Sequence, residues 1–439
     1  MIRRLSVFAL LLGLTTGVAR AQTPLTLADA VARAQARNHD ARAAEVAEQR
    51  ADAELTAARG TYLPNVDVTE SWQRGNQPVF VFGSLLAQRQ FTAANFAIDA
   101  LNHPDPVNNL RLGVSVDQAV FDPVARANVK AASIGRDVAA TARELVAHDL
   151  AVAVTAAYGH VLTADAAVRS AEAAVASAEA DLTRARNRRD AGTATEADVL
   201  QVEVLAGRAR EQRIRSGADA AVARARLNDL MGEPLDAAVT LVETPDPQAL
   251  AETSVAALEA MAVAERPNVK LAGLREQLAR ASTDAARASF LPRLSAQGAW
   301  EANGDTFTSR SSSWAVGAVA RVNLFRGPAD HARVAAARHA QTLRAIDREK
   351  AEAAARLDVR VALARLEAAR AAEAVTRTAV AQAHESQRII RDRYESGLAD
   401  VTALLAASEG VQQAEARQAA ARVEITVAAA TLTRAIGQR

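Results

Sequence analysis

The chain has 439 residues, 52 basic and 51 acidic, with no Cys. Half of it is apolar but only 3% is aromatic, and Ala alone supplies about a quarter; this suits long helices in close contact better than a thick globular core. The balanced charge argues against a nucleic-acid binder. The missing Cys excludes disulfides, thiolate metal sites, a thiol nucleophile and an N-terminal lipidated Cys.

The first 21 residues read as a signal peptide. Arg3 and Arg4 precede the apolar run Leu5 to Leu14, and Ala19-Arg20-Ala21 is an A-x-A cleavage signal, so the mature chain is predicted to begin at Gln22. The run is too short to span a bilayer, and no later 18-residue stretch is both apolar and uncharged. Losing Arg3, Arg4 and Arg20 leaves 49 basic against 51 acidic residues. After the cleavage site, Thr26-x-x-Asp29 has the form of a capping box and predicts a helix start.

The mature chain repeats itself. Tyr62-Leu63-Pro64 lies 228 residues before Phe290-Leu291-Pro292, and Trp72 lies 228 before Trp300. Further on, Phe121 precedes Phe325 by 204, while Gly192 precedes Gly397 and Gly232 precedes Gly437 by 205. The first copy therefore holds 24 extra residues between Trp72 and Phe121. We predict a first repeat over 22–232 (helix, two strands, long helical hairpin), a proline-rich linker over 233–247 and a second repeat over 248–439.

Before each hairpin, apolar residues alternate with polar or small ones: Leu110, Leu112, Val114 and Val116 in the first copy, Trp314 to Leu324 in the second. Weaker partners run through Val66 and Val68, and from Leu294 to Trp300. This makes four strands of about ten residues with aromatics near their ends, the pattern of transmembrane β-barrel strands. A small soluble β-domain fits the same alternation. The 24 extra residues include Phe80, Phe82, Phe91 and Phe96. Two readings stand for this stretch: an ordered extracellular lid over 77–106, or longer strands with aromatics in the headgroup region.

No proline occurs over 124–233 or 329–439, which permits very long helices, since an interior proline costs about 3 kcal/mol. Each run has one predicted break, at Asp190-Ala191-Gly192 and at Glu395-Ser396-Gly397, where Gly suits a helix C-cap. The first arm, 124 to 189, is roughly 100 Å long at about 1.5 Å per residue. Val154, Val161, Val168, Val175 and Leu182 repeat every seven residues, followed three residues behind by Ala157, Ala164, Ala171, Ala178 and Ala185. That is an a/d coiled-coil seam. Four antiparallel strands cannot close a barrel, and open edges cannot face lipid, so strands that enter a membrane must join other subunits.

With these features in place, the chain resembles the TolC-type outer membrane factor family of efflux and export channels. The resemblance covers nearly all of Gln22 to Arg439. It rests on Leu25-Thr26-Leu27 with Ala30 and Asn38, on Tyr62-Leu63-Pro64, on Asp190-Ala191-Gly192 with Asp198-Val199-Leu200, and on Leu230-Met231-Gly232. It implies a homotrimer in the outer membrane of a Gram-negative envelope. Three chains then share a transmembrane β-barrel over a periplasmic α-barrel, in contact with outer membrane lipid. It further implies a passive duct serving a periplasmic adaptor (membrane fusion protein) and an inner-membrane pump of RND or ABC type. The hairpin tips then form the gate and docking end, with Asp190, Gly192, Glu196 and Asp198 in the first copy and Glu395, Gly397 and Asp400 in the second. Some members carry two Asp six and nine residues after the second-tip Gly; here those places hold Ala403 and Ala406. Asp198 and Asp400 also fit a purely structural role as N-terminal caps of the returning helices.

Neither a nucleotide-binding nor a zinc-protease nor a hydrolase-elbow motif occurs, and the seven His show no helical pairing. We therefore expect no catalysis, no cofactor and no metal. The competing class is a periplasmic adaptor or structural coiled-coil protein. Such a protein carries one hairpin and an anchor, whereas this chain carries two hairpins and amphipathic strands.

Overall fold

A computed structural model describes residues 24–242 and 254–438. The signal peptide, and the linker from residue 243 on, lie outside them. Ten helices and four strands follow in the order α1 (Leu27–Arg37), α2 (His39–Gly60), β1 (Asn65–Gly75), α3 (Pro78–Ala87), α4 (Ile98–Asn102), β2 (Val107–Phe121), α5 (Pro123–Asp190) and α6 (Glu196–Met231). The second half continues as α7 (Val255–Glu265), α8 (Pro267–Ala288), β3 (Arg293–Gly304), β4 (Arg310–Arg321), α9 (Ala329–Glu395) and α10 (Val401–Ala435). A 3-10 turn, Ala93–Phe96, precedes α4.

The opening helix of each repeat is two helices. Thr26 caps α1 as expected, accepting from Asp29 N at 3.2 Å. The break follows at Asn38, whose backbone is extended and whose Nδ2 donates to Leu230 O at 3.0 Å. In the second copy Pro267 cannot continue α7 and instead opens α8. The duplication is also visible in close packing. A Cβ on Gly232 would stand 2.6 Å from Arg37 O, and one on Gly437 2.8 Å from Arg266 N.

The described residues fall into two compact units that cut across the repeats. One unit gathers residues 24–38, 153–242 and 368–427. Within it the predicted seam is buried at Val154, Val161 and Leu182 on one line and at Ala171, Ala178 and Ala185 on the other. Tyr158 is fully buried beside it, hydrogen-bonded to Leu25 O at 2.8 Å and Val242 O at 2.6 Å. Burial pushes this hydroxyl's pKa up, against the opposing effect of the Val242 bond. α5 also holds an 18-residue window of mean hydropathy 1.4, apolar enough to span a bilayer by composition. Val154, Tyr158 and Val161 show where the apolar surface of this helix goes: into packing within the unit.

The other unit gathers residues 39–152, 254–367 and 428–438. It contains one antiparallel sheet in the order β1-β2-β3-β4. Register aligns the even-numbered residues on one face: Val68 opposite Val114, Val114 opposite Trp300, and Trp300 opposite Trp314. Val316 and Gly298 sit opposite each other in the next even-numbered row. Asp67, Ser115, Gln297 and Ser313 share the other face, which is polar or small apart from Val107 and Val319. Glu70 interrupts the apolar face, but Arg310 reaches it with two bonds of 2.8 and 3.0 Å. β4 ends at Arg321, three residues before the alternation in the sequence does. Asn323 Nδ2 donates to the buried Asp330 at 2.6 Å, so the chain turns toward the start of α9 instead of extending the strand.

Candidate functional site

The tips of the two hairpins lie in one unit and share one core. Ala178, Leu182 and Ala185 of α5 pack with Val199, Val202 and Ala206 of α6, and Tyr394 and Leu404 of the second hairpin join them. Both reversals turn on glycines in the left-handed region, Gly192 at φ 75° and Gly397 at φ 76°, where a side chain is strained.

The charged candidates are largely engaged in holding these turns. Asp198 closes a capping box: its carboxylate accepts from Thr195 N at 2.9 Å and Thr195 Oγ1 at 2.8 Å, while Asp198 N donates to Thr195 Oγ1 at 3.2 Å. The bond from the Thr195 backbone N–H is the main reason its pKa lies below the ordinary carboxylate value. Asp400 caps α10 through Ala403 N at 2.8 Å. Arg189 holds Asp190 at 2.7 Å and Glu196 at 3.1 Å. Glu395, at the end of α9, is exposed.

Sequence reasoning missed the contacts that tie the tips to each other. Arg188 donates to Tyr394 O at 3.0 Å and lies over the Tyr394 ring, 5.1 Å from its centre. Arg391 donates to Ser177 Oγ at 3.1 Å. These pairs are 206 and 214 residues apart. Only the matched positions of the two glycines in the repeats hinted at them.

The second candidate is the long connection between β1 and β2. It is ordered as α3, the 3-10 turn and α4, and it does not lengthen the strands. Phe82, Phe91 and Phe96 stack edge-to-face, with centroid distances of 4.7 and 5.1 Å, and Phe80 lies against Gly75. Val81, Ser84 and Gln88 form a buried stripe along α3. Gln88 Nε2 donates to Asn108 O at 2.7 Å and to Asn109 Oδ1 at 3.0 Å, Asn109 donates to Asn303 at 3.0 Å, and Ser311 donates to Gln88 O at 3.0 Å. Asn109, Asn303 and Ser311 occupy odd positions, so α3 docks on the polar face at the loop end of the sheet. Arg89, next after Gln88, takes φ 59° and donates to Ser312 O at 3.3 Å. No group of three or more His, Asp or Glu placed to hold a metal occurs among the described residues.

Comparison with known proteins agrees with this architecture. The family model described as outer membrane efflux protein matches residues 30–233 and 258–438. Protein CyaE of Bordetella pertussis is 26% identical over 394 residues, which cover 88% of this chain and 78% of that protein. Among solved structures, one of CusC superimposes with a TM-score of 0.80 at 16% identity, covering 95% of this chain and 93% of that one. A membrane protein from Pseudomonas aeruginosa superimposes with a TM-score of 0.78 at 20% identity, covering 94% and 90%.

Proposed function

We propose that this chain, which belongs to the outer membrane efflux protein family, is the passive exit duct of an energised export machine and works as a homotrimer. It resides in the outer membrane and forms a duct for efflux or export. The observation that carries the oligomer is the sheet: one mainly apolar face, one mainly polar face, and two edge strands, β1 and β4, that among the described residues each pair on one side only; the number three is what the family resemblance implies. Such edges are satisfied in a membrane only by the strands of neighbouring copies.

On this reading the hairpin tips face the periplasm. They meet a periplasmic adaptor, the membrane fusion protein, which links them to an inner-membrane pump of RND or ABC type. The chain itself does no catalysis: its family is one of channels, and all but one of the tip carboxylates are engaged in caps and ion pairs. The α3 segment is the lid. It docks on the polar face, which is the lumenal face of a barrel whose apolar face meets lipid, and so it narrows the outer mouth.

The test is chemical cross-linking and native mass measurement of the detergent-extracted membrane fraction, followed by conductance in a planar bilayer. A conducting trimer supports the reading; a water-soluble or monomeric chain opposes it. Deleting 79–102 is expected to raise single-channel conductance, and an unchanged conductance removes the lid from the account.

A further inference from the structure

The strand ends that lead into the helices carry two layers of surface. Asn65, Phe121, Arg293 and Arg321 stand at the same end of the sheet, because its strands alternate in direction. At and beside these ends Leu63, Phe121, Leu324 and Phe325 are 67, 50, 91 and 85% exposed, an apolar rim.

Where the chain passes into the helices, the surface turns cationic. Arg59 lies in the last turn of α2, Arg126 and Lys130 stand one turn apart at the start of α5, and Arg287 lies in the last turn of α8. Arg321 and Arg326 bracket the end of β4. Among the described residues Arg59, Arg126, Arg287, Arg321 and Arg326 form no ion pair, whereas elsewhere Arg and carboxylates pair repeatedly along the helices. Arg321 even stands directly opposite Arg293 in the sheet, a like-charge pairing that costs stability.

Three of these cations meet in one cleft. Arg59, Arg126 and Lys130 line a 580 Å³ cavity together with Pro123, Ser133 and Ile134. The carboxylate in its lining, Asp284, is 3.8 Å from Lys130 and offsets one of the three charges. Pro123 links the cleft to the apolar rim, two residues after Phe121.

We propose that this cleft binds the phosphate of a membrane phospholipid headgroup in the periplasmic leaflet, with the acyl chains lying against the apolar rim. The inference rests on the transmembrane reading above and adds a specific site to it. Guanidinium groups match phosphate geometry with paired hydrogen bonds, and long basic side chains lie along apolar surface while their heads stay in the headgroup layer. An apolar rim next to uncompensated cations repeats the order of chain and phosphate in a lipid. This contact supplies adhesion to that leaflet through side chains.

The test uses the purified full chain, stripped of lipid in detergent and then titrated with phosphatidylglycerol, phosphatidylcholine or inorganic phosphate under native mass spectrometry. Wild type is expected to retain phosphatidylglycerol. The triple variant Arg59→Gln, Arg126→Gln, Lys130→Gln loses at least about tenfold in retention, since each basic residue near an anionic surface contributes appreciably. The charge-keeping variant Arg59→Lys, Arg126→Lys retains less than wild type and more than the triple variant, because an ammonium keeps the charge but not the paired hydrogen bonds of a guanidinium. Unchanged retention in the triple variant overturns the site, as does displacement of the lipid by millimolar inorganic phosphate. Planar-bilayer conductance of wild type reads the duct separately. A conducting wild type whose triple variant still holds lipid overturns the headgroup site alone, whereas a wild type that neither conducts nor retains lipid overturns both readings.

Discussion

Replacing Val316 by Arg separates a membrane sheet from a sheet in water. Val316 is 76% exposed, lies on the apolar face opposite Gly298, and stands near the middle of β4, five residues from Arg321. Five residues at about 3.4 Å, along a strand tilted by about 45°, place it roughly 12 Å below the inner end of the strand. That is close to the bilayer midplane, where an Arg on the lipid face costs about 2–4 kcal/mol. Three copies in one barrel bring the total to about 6–12 kcal/mol if the sites act independently. In water the same exposed site tolerates Arg within about 0.5 kcal/mol. The assay is folding into lipid vesicles followed by urea titration, with Gly317→Arg as the control: Gly317 is on the polar face, and a Cβ added there meets nothing within 4 Å. Equal folding of Val316→Arg and wild type refutes the assignment of this face to lipid.

Gly192→Ala and Gly397→Ala each place a side chain in the left-handed region and are expected to cost about 1–2 kcal/mol each, read as faster proteolysis at the tips. Tyr158→Phe removes the buried hydroxyl that donates to Leu25 O and Val242 O and accepts from Val242 N and is expected to lower stability by about 1 kcal/mol, measured by thermal unfolding. The pKa of Asp198 is depressed in the folded tip. Its contribution is therefore fully present above the ordinary carboxylate pKa and is lost as pH falls through the depressed value. Hydrogen exchange over 195–200 should accelerate in that acid window; Asp198→Asn should abolish the pH dependence, whereas Thr195→Ala, which keeps the backbone N–H and loses only the hydroxyl, should weaken it.

The skeleton of this protein is readable because its signals are local. Two long proline-free runs, each broken at one glycine, give α5 with α6 and α9 with α10, and strict alternation gives the strands. Six of the ten heptad positions are buried, and Ala157, Ala164, Val168 and Val175 are half-buried. What escaped is non-local or conditional. Asn38 ends α1 through a bond to Leu230, 192 residues away. Arg188 and Tyr394 meet only because two hairpins pack side by side. The Phe-rich connection carries no periodicity that separates a strand extension from helices. Its course is set by Gln88 and Arg89 bonding to the sheet. Asp198 and Asp400 were legible in two ways, and the capping geometry is the one observed.

The most direct test of the central claim uses the absence of Cys in the chain. Single cysteines placed one at a time from Ser312 to Ala320 in membrane-embedded protein are reacted with a charged, water-soluble maleimide. The account predicts alternation with a period of two, with strong labelling at Ala315, Gly317 and Val319 and weak labelling at Trp314, Val316 and Ala318. Uniform labelling of both faces, as in a sheet surrounded by water, contradicts it.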